Sequence, residues 1–441
     1  MDSVYFISLG CDKNLADSEK LLWQLQQSGY TITDDEEAAD VIVINTCCFI
    51  HDAKEESIQT ILDMGRLRLH GRCRALIVMG CLAQRYRDEI LTEIPEVDGV
   101  LGTGSMTALT DTIRRCLDGE TVQDCADINR GDLQETGRVR TGIGYYSYLK
   151  IAEGCDKRCS YCIIPYIKGH YRSYPMESLI EEARKMAEGG TRELILVAQE
   201  TTLYGTDLYG RRMLHELLRR LCRIDGLDWI RILYCYPEEI YDELIEVMAQ
   251  EEKICHYLDL PIQHADDRVL RRMGRRTSRA DLEEIVGRLR SRIPDITLRT
   301  TLITGFPGET EEAHEQLMEF VEKMRFEHLG VFTYSEEEGT PAAAMPDQVP
   351  EEVKEQRREQ LMLLQQDISL EKGRSRVGTE QMCIVEGYLP EDGVYVCRTE
   401  GDAPDVDGML FLETDRELMS GDMIRALVTD AGAYDLKGVA L

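Results

Sequence analysis

The alternation of apolar and polar residues divides the chain into three parts. In the first part, residues 1–135, short apolar runs alternate with longer stretches of helical periodicity. Strands that alternate with helices predict a parallel sheet covered by helices, which is an α/β domain. The predicted strands are 4–9, 41–44 and 75–79, and the predicted helices are 15–27, 53–68 and 85–93.

The second part, residues 140–370, repeats the strand–helix unit six times. Such repetition predicts a barrel or partial barrel, whose functional site lies at the C-terminal ends of its strands. A charged stretch rich in Gly and Thr, 131–144, is interpreted as a linker, and 351–370 as a charged helix with an apolar packing stripe. The predicted strands are 148–152, 193–198, 229–234, 257–260, 297–301 and 329–333, with helices between them such as 176–188 and 279–292.

The third part, residues 373–441, contains short apolar runs separated by Gly and Asp turns. This pattern predicts a small antiparallel barrel or sandwich, which we interpret as a recognition module. The predicted strands are 381–386, 394–398, 409–412 and 423–428.

Composition narrows the class of protein. No run approaches the roughly 20 apolar residues of a membrane span, and the first residues lack the pattern of a signal peptide. We therefore expect a cytoplasmic protein without a membrane partner, in which the 15 cysteines serve as ligands and core residues rather than disulfides. The net charge of −31 disfavours nucleic acid as a partner, although an acidic protein can still contain a basic groove.

One group of cysteines has the spacing of a metal-cluster site. Cys155, Cys159 and Cys162 form a CxxxCxxC run. A 4Fe–4S cluster normally takes four cysteines, so three leave one iron open to a further ligand and indicate chemistry rather than electron storage. The alternatives are core thiols placed by chance, a zinc site, which would show paired CxxC elements, and a two-cluster ferredoxin, whose spacing differs.

A second group consists of cysteines that each follow a predicted strand, namely Cys11, Cys47 and Cys81. Because the C-terminal ends of parallel strands lie along one edge of a sheet, these three should converge and hold another cluster. The alternative is three unrelated core thiols. Cys48 could replace Cys47, but we prefer Cys47 because it ends the run INTC.

The run CxxxCxxC with Tyr161 before its last cysteine resembles the radical S-adenosylmethionine (SAM) enzymes. The whole chain resembles the methylthiotransferases of that superfamily, with the three parts in the same order and a TRAM-type barrel at the end. The motifs are SLGCDKN (8–14), INTC (44–47), MGC (79–81) and GFPGE (305–309).

This resemblance implies two 4Fe–4S clusters and SAM as cofactors. The cluster on Cys155, Cys159 and Cys162 would cleave SAM to a 5′-deoxyadenosyl radical, and the cluster on Cys11, Cys47 and Cys81 would carry the sulfur. The resemblance also suggests a set of SAM contacts. Each has a plain structural alternative, such as a core residue, a strand cap or a helix N-terminal charge. The suggested contacts are Tyr161, Gln199, Gly305, Gly308 and Glu309.

The family divides by substrate, one branch modifying an adenosine of tRNA and the other the β-carbon of an aspartate in small-subunit ribosomal protein twelve. The stretches 10–19, 198–205 and 403–408 resemble the ribosomal-protein branch, with Asp12 where proline is expected and Glu200 where aspartate is expected. Residues 371–441 contain seven basic and fifteen acidic residues, which suits a basic protein substrate better than RNA.

We therefore expect a small-subunit ribosomal protein as substrate, free or on the ribosome, and a reductant such as flavodoxin or ferredoxin. The alternatives are a tRNA adenosine methylthiotransferase and, from another class, a non-catalytic iron–sulfur carrier. Cleavage of SAM by the reduced protein separates an enzyme from a carrier.

Overall fold

The structure is a computed structural model that describes residues 2–125, 127–129, 137–142 and 144–441. Most of the predicted linker 131–144 lies outside these residues. None of the helices in the described ranges is both long and apolar enough to cross a membrane.

The N-terminal part contains a six-stranded parallel sheet with strand order β2-β1-β3-β4-β5-β6. Every residue of β3 and β4 is buried, because helices cover both faces of the sheet. The predicted parallel sheet is confirmed. Its strands are β1 (Ser3–Ser8), β2 (Thr31–Thr33), β3 (Val41–Thr46), β4 (Ala75–Gly80), β5 (Gly99–Leu101) and β6 (Val122–Asp124), and its helices are α1 (Asp12–Gln27), α2 (His51–His70), α3 (Cys81–Arg85), α4 (Arg87–Glu93) and α5 (Leu109–Leu117).

The strand order of this sheet reverses between β1 and β3. From β1 the chain passes to β2 on one side and then to β3 on the other. In open parallel sheets such a reversal leaves a crevice at the C-terminal ends of the two strands, where ligands bind. Cys11 follows β1 and Cys47 follows β3, so these two cysteines flank the crevice.

The central part is an open six-stranded parallel sheet with strand order β14-β13-β12-β11-β10-β7. Among the described strands, β7 and β14 do not pair with each other, so the predicted barrel is a partial one. Its strands are β7 (Tyr146–Lys150), β8 (Ala152–Glu153), β9 (Arg172–Ser173), β10 (Glu193–Val197), β11 (Trp229–Ile232), β12 (Ile254–Asp259), β13 (Thr297–Thr304) and β14 (His328–Thr333), of which β8 and β9 form a separate small pair. Its helices are α6 (Ile164–Lys168), α7 (Met176–Glu188), α8 (Leu214–Leu221), α9 (Asp242–Gln250), α10 (Asp267–Arg272), α11 (Arg279–Arg292), α12 (Glu311–Met324) and α13 (Glu351–Arg376).

The C-terminal part is a closed five-stranded barrel, as one of the two sequence alternatives predicted. The pair β17·β19 is parallel and the other pairs are antiparallel. Strand β19 was not predicted, because Lys437 and Gly438 interrupt the short apolar run LKGVA. The strands are β15 (Glu380–Leu389), β16 (Val394–Thr399), β17 (Leu410–Glu413), β18 (Met423–Ala431) and β19 (Leu436–Ala440).

Some sequence-predicted boundaries were wrong. The predicted helix 85–93 corresponds to α4, which begins at Arg87, whereas the preceding helix α3 was missed. The backbone of Tyr86 (φ −121°, ψ 33°) separates the two helices. Strands β2, β5 and β6 were missed, since three residues are too short for a periodic signal. The charged helix predicted over 351–370 continues to Arg376.

The concave face of the partial barrel is covered from both ends of the chain. Leu15 of α1 and Ile384 and Ala403 of the C-terminal barrel pack against its apolar side chains. Glu193, fully buried at the start of β10, accepts hydrogen bonds from Arg231 of β11 (2.7 Å) and Arg398 of β16 (2.5 Å). This buried triad joins the central sheet to the C-terminal barrel.

Candidate functional site

The first cysteine set lies where the loops after β1, β3 and β4 meet. Gly10 has a φ of +86°, and a Cβ placed on it would lie 2.5 Å from Cys47 Cβ and 2.8 Å from Cys47 Sγ. The Asn14 amide donates to the carbonyl oxygens of Leu9 (3.0 Å) and Thr46 (3.1 Å), which holds the loops after β1 and β3 together. The backbone of Gly10, which precedes Cys11, therefore approaches Cys47 so closely that no side chain fits between them.

The second set lies on the loop after β8, at the C-terminal edge of the partial barrel. Gly154 has a φ of +78° and precedes Cys155. The backbone of Ser160 donates to the Met273 carbonyl (2.9 Å), and its hydroxyl donates to the Arg272 carbonyl (2.8 Å). These bonds anchor the cysteine loop on α10.

The six cysteines are free thiols. Four of them are buried, Cys162 is partly buried and Cys11 is exposed. Burial raises the pKa of Cys155 to about 12 and also raises those of Cys47, Cys81 and Cys162. Cys47 and Cys11 also contribute to the raised pKa of Cys81, and Cys159 and Cys155 contribute to that of Cys162. The three cysteines of each set therefore lie near one another. A buried thiolate needs a compensating positive charge, which a metal supplies.

Within the described ranges, no three His, Cys, Asp or Glu side chains are close enough to hold one metal ion. A 4Fe–4S cluster makes a different demand, because each cysteine binds its own iron and the thiols therefore stand apart. Three thiols in each set are donors of the type that such a cluster takes. The assignment of the six cysteines as cluster ligands remains a prediction.

One loop contacts both cysteine sets. Tyr234 and Tyr236 follow β11, and they face opposite directions. The Tyr234 hydroxyl donates to Asp12 Oδ1 (3.1 Å), beside Cys11, whereas the Tyr236 hydroxyl lies 3.6 Å from Cys159 Sγ. The loop after β11 therefore reaches from the residue next to Cys11 to Cys159 of the second set.

A buried network of four charges also lies at this junction. The Lys150 ammonium of β7 donates to Asp17 of α1 and to Glu153 (2.6 Å), and the Lys168 ammonium lies 3.5 Å from Glu153 and 3.7 Å from Asp17. Burial alone would raise the pKa of Glu153, but Lys150 and Lys168 outweigh it and lower that pKa. Two ammonium groups and two carboxylates thus balance one another in a site that excludes water.

Gln199, one of the suggested SAM contacts, is oriented by this network. Its amide donates to Glu153 Oε1 (2.7 Å), and its own oxygen is buried without a hydrogen-bond partner among the described residues. The neighbouring Glu200 is fully buried, and burial raises its pKa to about 7. Gln199 therefore presents an unused acceptor beside the Cys155 loop.

The other suggested contacts form a second group. The Tyr161 ring packs edge-on against Phe306, with ring centroids 6.4 Å apart, so the structure brings Tyr161 to the 305–309 loop. The Glu309 carboxylate accepts from the backbone of Gly305 and Phe306 and lies 3.3 Å from Arg357. Glu309 thus braces its own loop. Gly308 has a φ of +82°, a conformation that residues with a side chain rarely adopt, which explains glycine there.

Reasoning from sequence missed Asp17, Lys150, Glu153, Lys168 and Tyr234. A signal for two of them was present, since Lys150 and Glu153 are charges within the apolar run YLKIAEG. Charged residues are rarely buried unless they are paired, and such pairing marks a functional site candidate. Their partner Asp17 is too distant in sequence to be inferred.

Three family models match the chain. Residues 3–102 match uncharacterized protein family UPF0004, residues 149–321 match the radical SAM superfamily, and residues 377–441 match the TRAM domain. The order of these matches is the order of the three structural parts.

Among solved structures, the chain is similar to TsrM, a radical SAM methyltransferase from Kitasatospora setae. The TM-score is 0.59 at 15% identity, with 87% of this chain and 78% of TsrM covered. It is also similar to OxsB, a cobalamin-dependent SAM radical enzyme, with a TM-score of 0.52 at 12% identity, covering 83% of this chain and 56% of OxsB. At such identities the likeness shows the fold alone.

Curated relatives match almost the full length. The ribosomal protein uS12 methylthiotransferase RimO of Lachnoclostridium phytofermentans is 59% identical over 437 residues, which is 99% of each chain. The RimO of Desulforudis audaxviator is 50% identical over 438 residues, covering 99% of this chain and 97% of the relative. With two sets of three cysteines beside one loop and relatives that match from end to end, the chain belongs to the RimO family of ribosomal protein uS12 methylthiotransferases.

Proposed function

We propose that the chain adds a methylthio group to the β-carbon of an aspartate in ribosomal protein uS12. The observation that carries this proposal is the pair of three-cysteine sets, one after the strands of each parallel sheet, with the Tyr234–Tyr236 loop lying beside both. Each set is one cysteine short of a full cluster. One open site suits SAM, and the other suits the sulfur to be inserted.

The cofactors are SAM and two 4Fe–4S clusters. Cys155, Cys159 and Cys162 would hold one cluster, and Cys11, Cys47 and Cys81 the other. When bound, these groups supply a carbon-centred radical and the methylthio unit. The unpaired oxygen of Gln199 fits a SAM contact, and Tyr161 and the 305–309 loop, with Gly305, Gly308 and Glu309, are proposed to line the same pocket.

The chain's own residues orient the reactants and exclude water. Glu153 holds Gln199, and Lys150 and Lys168 hold Glu153, so the orientation of Gln199 depends on α1 through Asp17. Helix α1 and the C-terminal barrel cover the concave face of the partial barrel. An enclosed site protects a reactive radical from side reactions with water.

The three units are proposed to be a methylthiotransferase domain (1–135), a radical SAM barrel (140–370) and a TRAM-type recognition domain (373–441). The acidic C-terminal domain suits a basic substrate protein, free or on the ribosome. A cytoplasmic reductant such as flavodoxin or ferredoxin would provide electrons.

Mass spectrometry of the substrate tests the function. Cluster-reconstituted protein, SAM, sulfide and a reductant are incubated with uS12 or with tRNA. We expect a methylthio mass gain on uS12 only. A gain on tRNA alone would place the chain in the other branch, and reduced protein that releases no 5′-deoxyadenosine would be an iron–sulfur carrier.

Iron content tests the ligands independently of turnover. The reconstituted chain should hold about eight irons, four for each cluster. A variant with Cys11, Cys47 and Cys81 all replaced by alanine should hold about four. An unchanged iron content in this variant would exclude the proposed first cluster.

A further inference from the structure

A cation and a hydroxyl group converge on one carboxylate beside the first cysteine set. Asp12 Oδ1 accepts from the Lys13 ammonium (3.1 Å) and from the Tyr234 hydroxyl (3.1 Å). The Lys13 ammonium also lies 3.2 Å from the centroid of the Tyr234 ring, which it faces. The side chains of Lys13 and Asp12 are only 11% and 9% exposed. Lys13 and Tyr234 therefore form a carboxylate-binding pair in a nearly dry site.

This pair satisfies only one of the two carboxylate oxygens of Asp12. Its second oxygen, Oδ2, is buried and has no hydrogen-bond partner among the described residues. Asp12 does not cap α1 either, because the preceding Cys11 occupies the N-cap position. A buried carboxylate oxygen without a donor is costly, so the contact with Asp12 can be exchanged for one with a better-placed carboxylate.

The position of the pair corresponds to the place where the acceptor carbon has to lie. Lys13 is two residues from Cys11, and Tyr234 lies on the loop whose Tyr236 contacts Cys159. A carboxylate bound there lies beside the first cysteine set and on the loop that also contacts the second. In an aspartate side chain the β-carbon is bonded directly to the carboxylate carbon. Anchoring the carboxylate thus holds the β-carbon beside the proposed sulfur source and on the loop that also contacts the proposed radical source.

We propose that Lys13 and Tyr234 bind the side-chain carboxylate of the target aspartate, and that Asp12 holds their place in the substrate-free chain. This inference rests on the proposed function. Asp12 stands where the family resemblance leads one to expect proline, so the placeholder is a feature of this chain. Substrate binding then requires Asp12 to leave Lys13 and Tyr234.

Binding of two forms of uS12 tests the proposal. One form has the target aspartate, and the other has asparagine at that position, which keeps the shape and removes the charge. The wild-type chain should bind the aspartate form about 10–100-fold more tightly, the range for a charged hydrogen bond. Lys13→Met and Tyr234→Phe should each bring this ratio close to one, and Asp12→Asn should tighten binding of the aspartate form several-fold.

Matched controls are Lys185→Met and Tyr388→Phe, whose side chains are exposed in other parts of the molecule. Both should keep the wild-type ratio. The proposal is overturned if Lys13→Met and Tyr234→Phe also keep it, or if the wild-type chain does not distinguish aspartate from asparagine. If Lys13→Met weakens binding of SAM instead and leaves the ratio unchanged, the carboxylate of SAM is the occupant and the proposal fails.

Two further results separate this proposal from the proposed function. If Lys13→Met fails to fold or to bind iron, Tyr234→Phe decides alone, since it alters neither the cysteine loop nor the charge. If the wild-type chain discriminates between the two forms but adds no methylthio group, the proposed function fails while the carboxylate site stands.

Discussion

At the scale of single residues, the first cysteine set depends on a backbone that only glycine can adopt. Gly10 has a positive φ and lies against Cys47, whereas Gly29 has a similar φ of +88° and nothing within 4 Å of its virtual Cβ. A side chain at Gly10 would therefore cause both backbone strain and a steric clash, whereas a side chain at Gly29 would cause backbone strain alone. This comparison provides a matched pair of variants.

Gly10→Ala should displace Cys47 and reduce iron content by about half, to the four irons of the second cluster. Gly29→Ala should retain the full iron content and lose only about 1–2 kcal/mol of stability, the cost of a left-handed alanine. Iron and sulfide determination checks the first expectation, and urea unfolding checks the second. Full iron content in Gly10→Ala would show that the contact with Cys47 is unimportant.

Replacement of the adjacent residues Cys47 and Cys48 should have different effects on the iron content. Cys47 lies against Gly10, and its amide donates to the Ser57 hydroxyl (3.1 Å). Cys48 is fully buried in the apolar core, where burial raises its pKa to about 12. Cys47→Ala should remove about four irons, whereas Cys48→Ala should keep all of them. Metal analysis of the two variants decides, and the opposite pattern would reassign the ligand.

Sequence reasoning located the candidate ligands because each cysteine follows a strand and strand ends share one edge. It did not locate the groups between the two sets. The ion pair of Lys150 with Asp17 joins residues 133 positions apart, and no local pattern encodes such a partner. The Tyr234 contact with Asp12 spans 222 positions and was equally hidden.

At the scale of elements, the alternation of strands and helices predicted both parallel sheets. Strand order, however, depends on which helix packs on which face, and periodicity does not report this. The reversal between β1 and β3 thus appeared only in the structure. The same holds for the parallel pairing of β17 with β19, a short strand interrupted by Lys437 and Gly438 that helps to close the C-terminal barrel.

The buried Glu193 should dominate the junction of β10, β11 and β16. Glu193→Gln leaves the guanidinium groups of Arg231 and Arg398 without their common counter-ion. Breaking a buried pair in this way costs about 3–5 kcal/mol. Glu177→Gln, at a side chain 78% exposed on α7, should change stability by less than about 0.5 kcal/mol. Urea unfolding of both variants measures the difference, and equal stabilities would contradict the assigned role.

His328, at the start of β14, should make the contact between the central sheet and the C-terminal barrel sensitive to pH. His328 lies 3.4 Å from Asp402, 3.6 Å from Asp407 and 2.8 Å from the Gly401 carbonyl oxygen. Burial alone would lower the pKa of His328, but Asp407 and Asp402 outweigh it and raise the pKa above its ordinary value of 6.5. The stabilisation of the folded chain by protonated His328 is therefore complete below pH 6.5. It is lost as the pH rises through the pKa of His328 in the folded chain.

The variant His328→Gln keeps a donor for Gly401 and cannot titrate. The stability advantage of the wild-type chain over this variant should shrink between about pH 6 and pH 9. Chemical unfolding at several pH values measures it. An advantage that stays constant over this range would show that His328 is not charged in the folded protein.

At the scale of the whole molecule, charge is the property that the sequence reports directly. The net charge is −31, and the C-terminal barrel contributes to it through exposed carboxylates such as Glu413, Asp415 and Glu417. A basic substrate protein would be attracted to such a surface, and the attraction would weaken with salt.

Replacing Glu413 and Glu417 by glutamine and Asp415 by asparagine should weaken uS12 binding about tenfold at low salt, since each exposed charge contributes about 0.5 kcal/mol. The control carries the same change at three exposed glutamates of α7, namely Glu177, Glu181 and Glu188. Binding measured over a series of salt concentrations should separate the two variants. Equal weakening by both would mean that the attraction comes from net charge and not from the barrel.

The covering of the partial barrel by two distant segments of the chain has a consequence for biosynthesis. Leu15 of α1 and Ile384 and Ala403 of the C-terminal barrel pack against Ile195, Val197 and Trp229. Because translation proceeds toward the C-terminal barrel, this apolar surface stays partly uncovered until residues 384–403 have been made. A chain interrupted before residue 384 exposes the surface to chaperones and proteases.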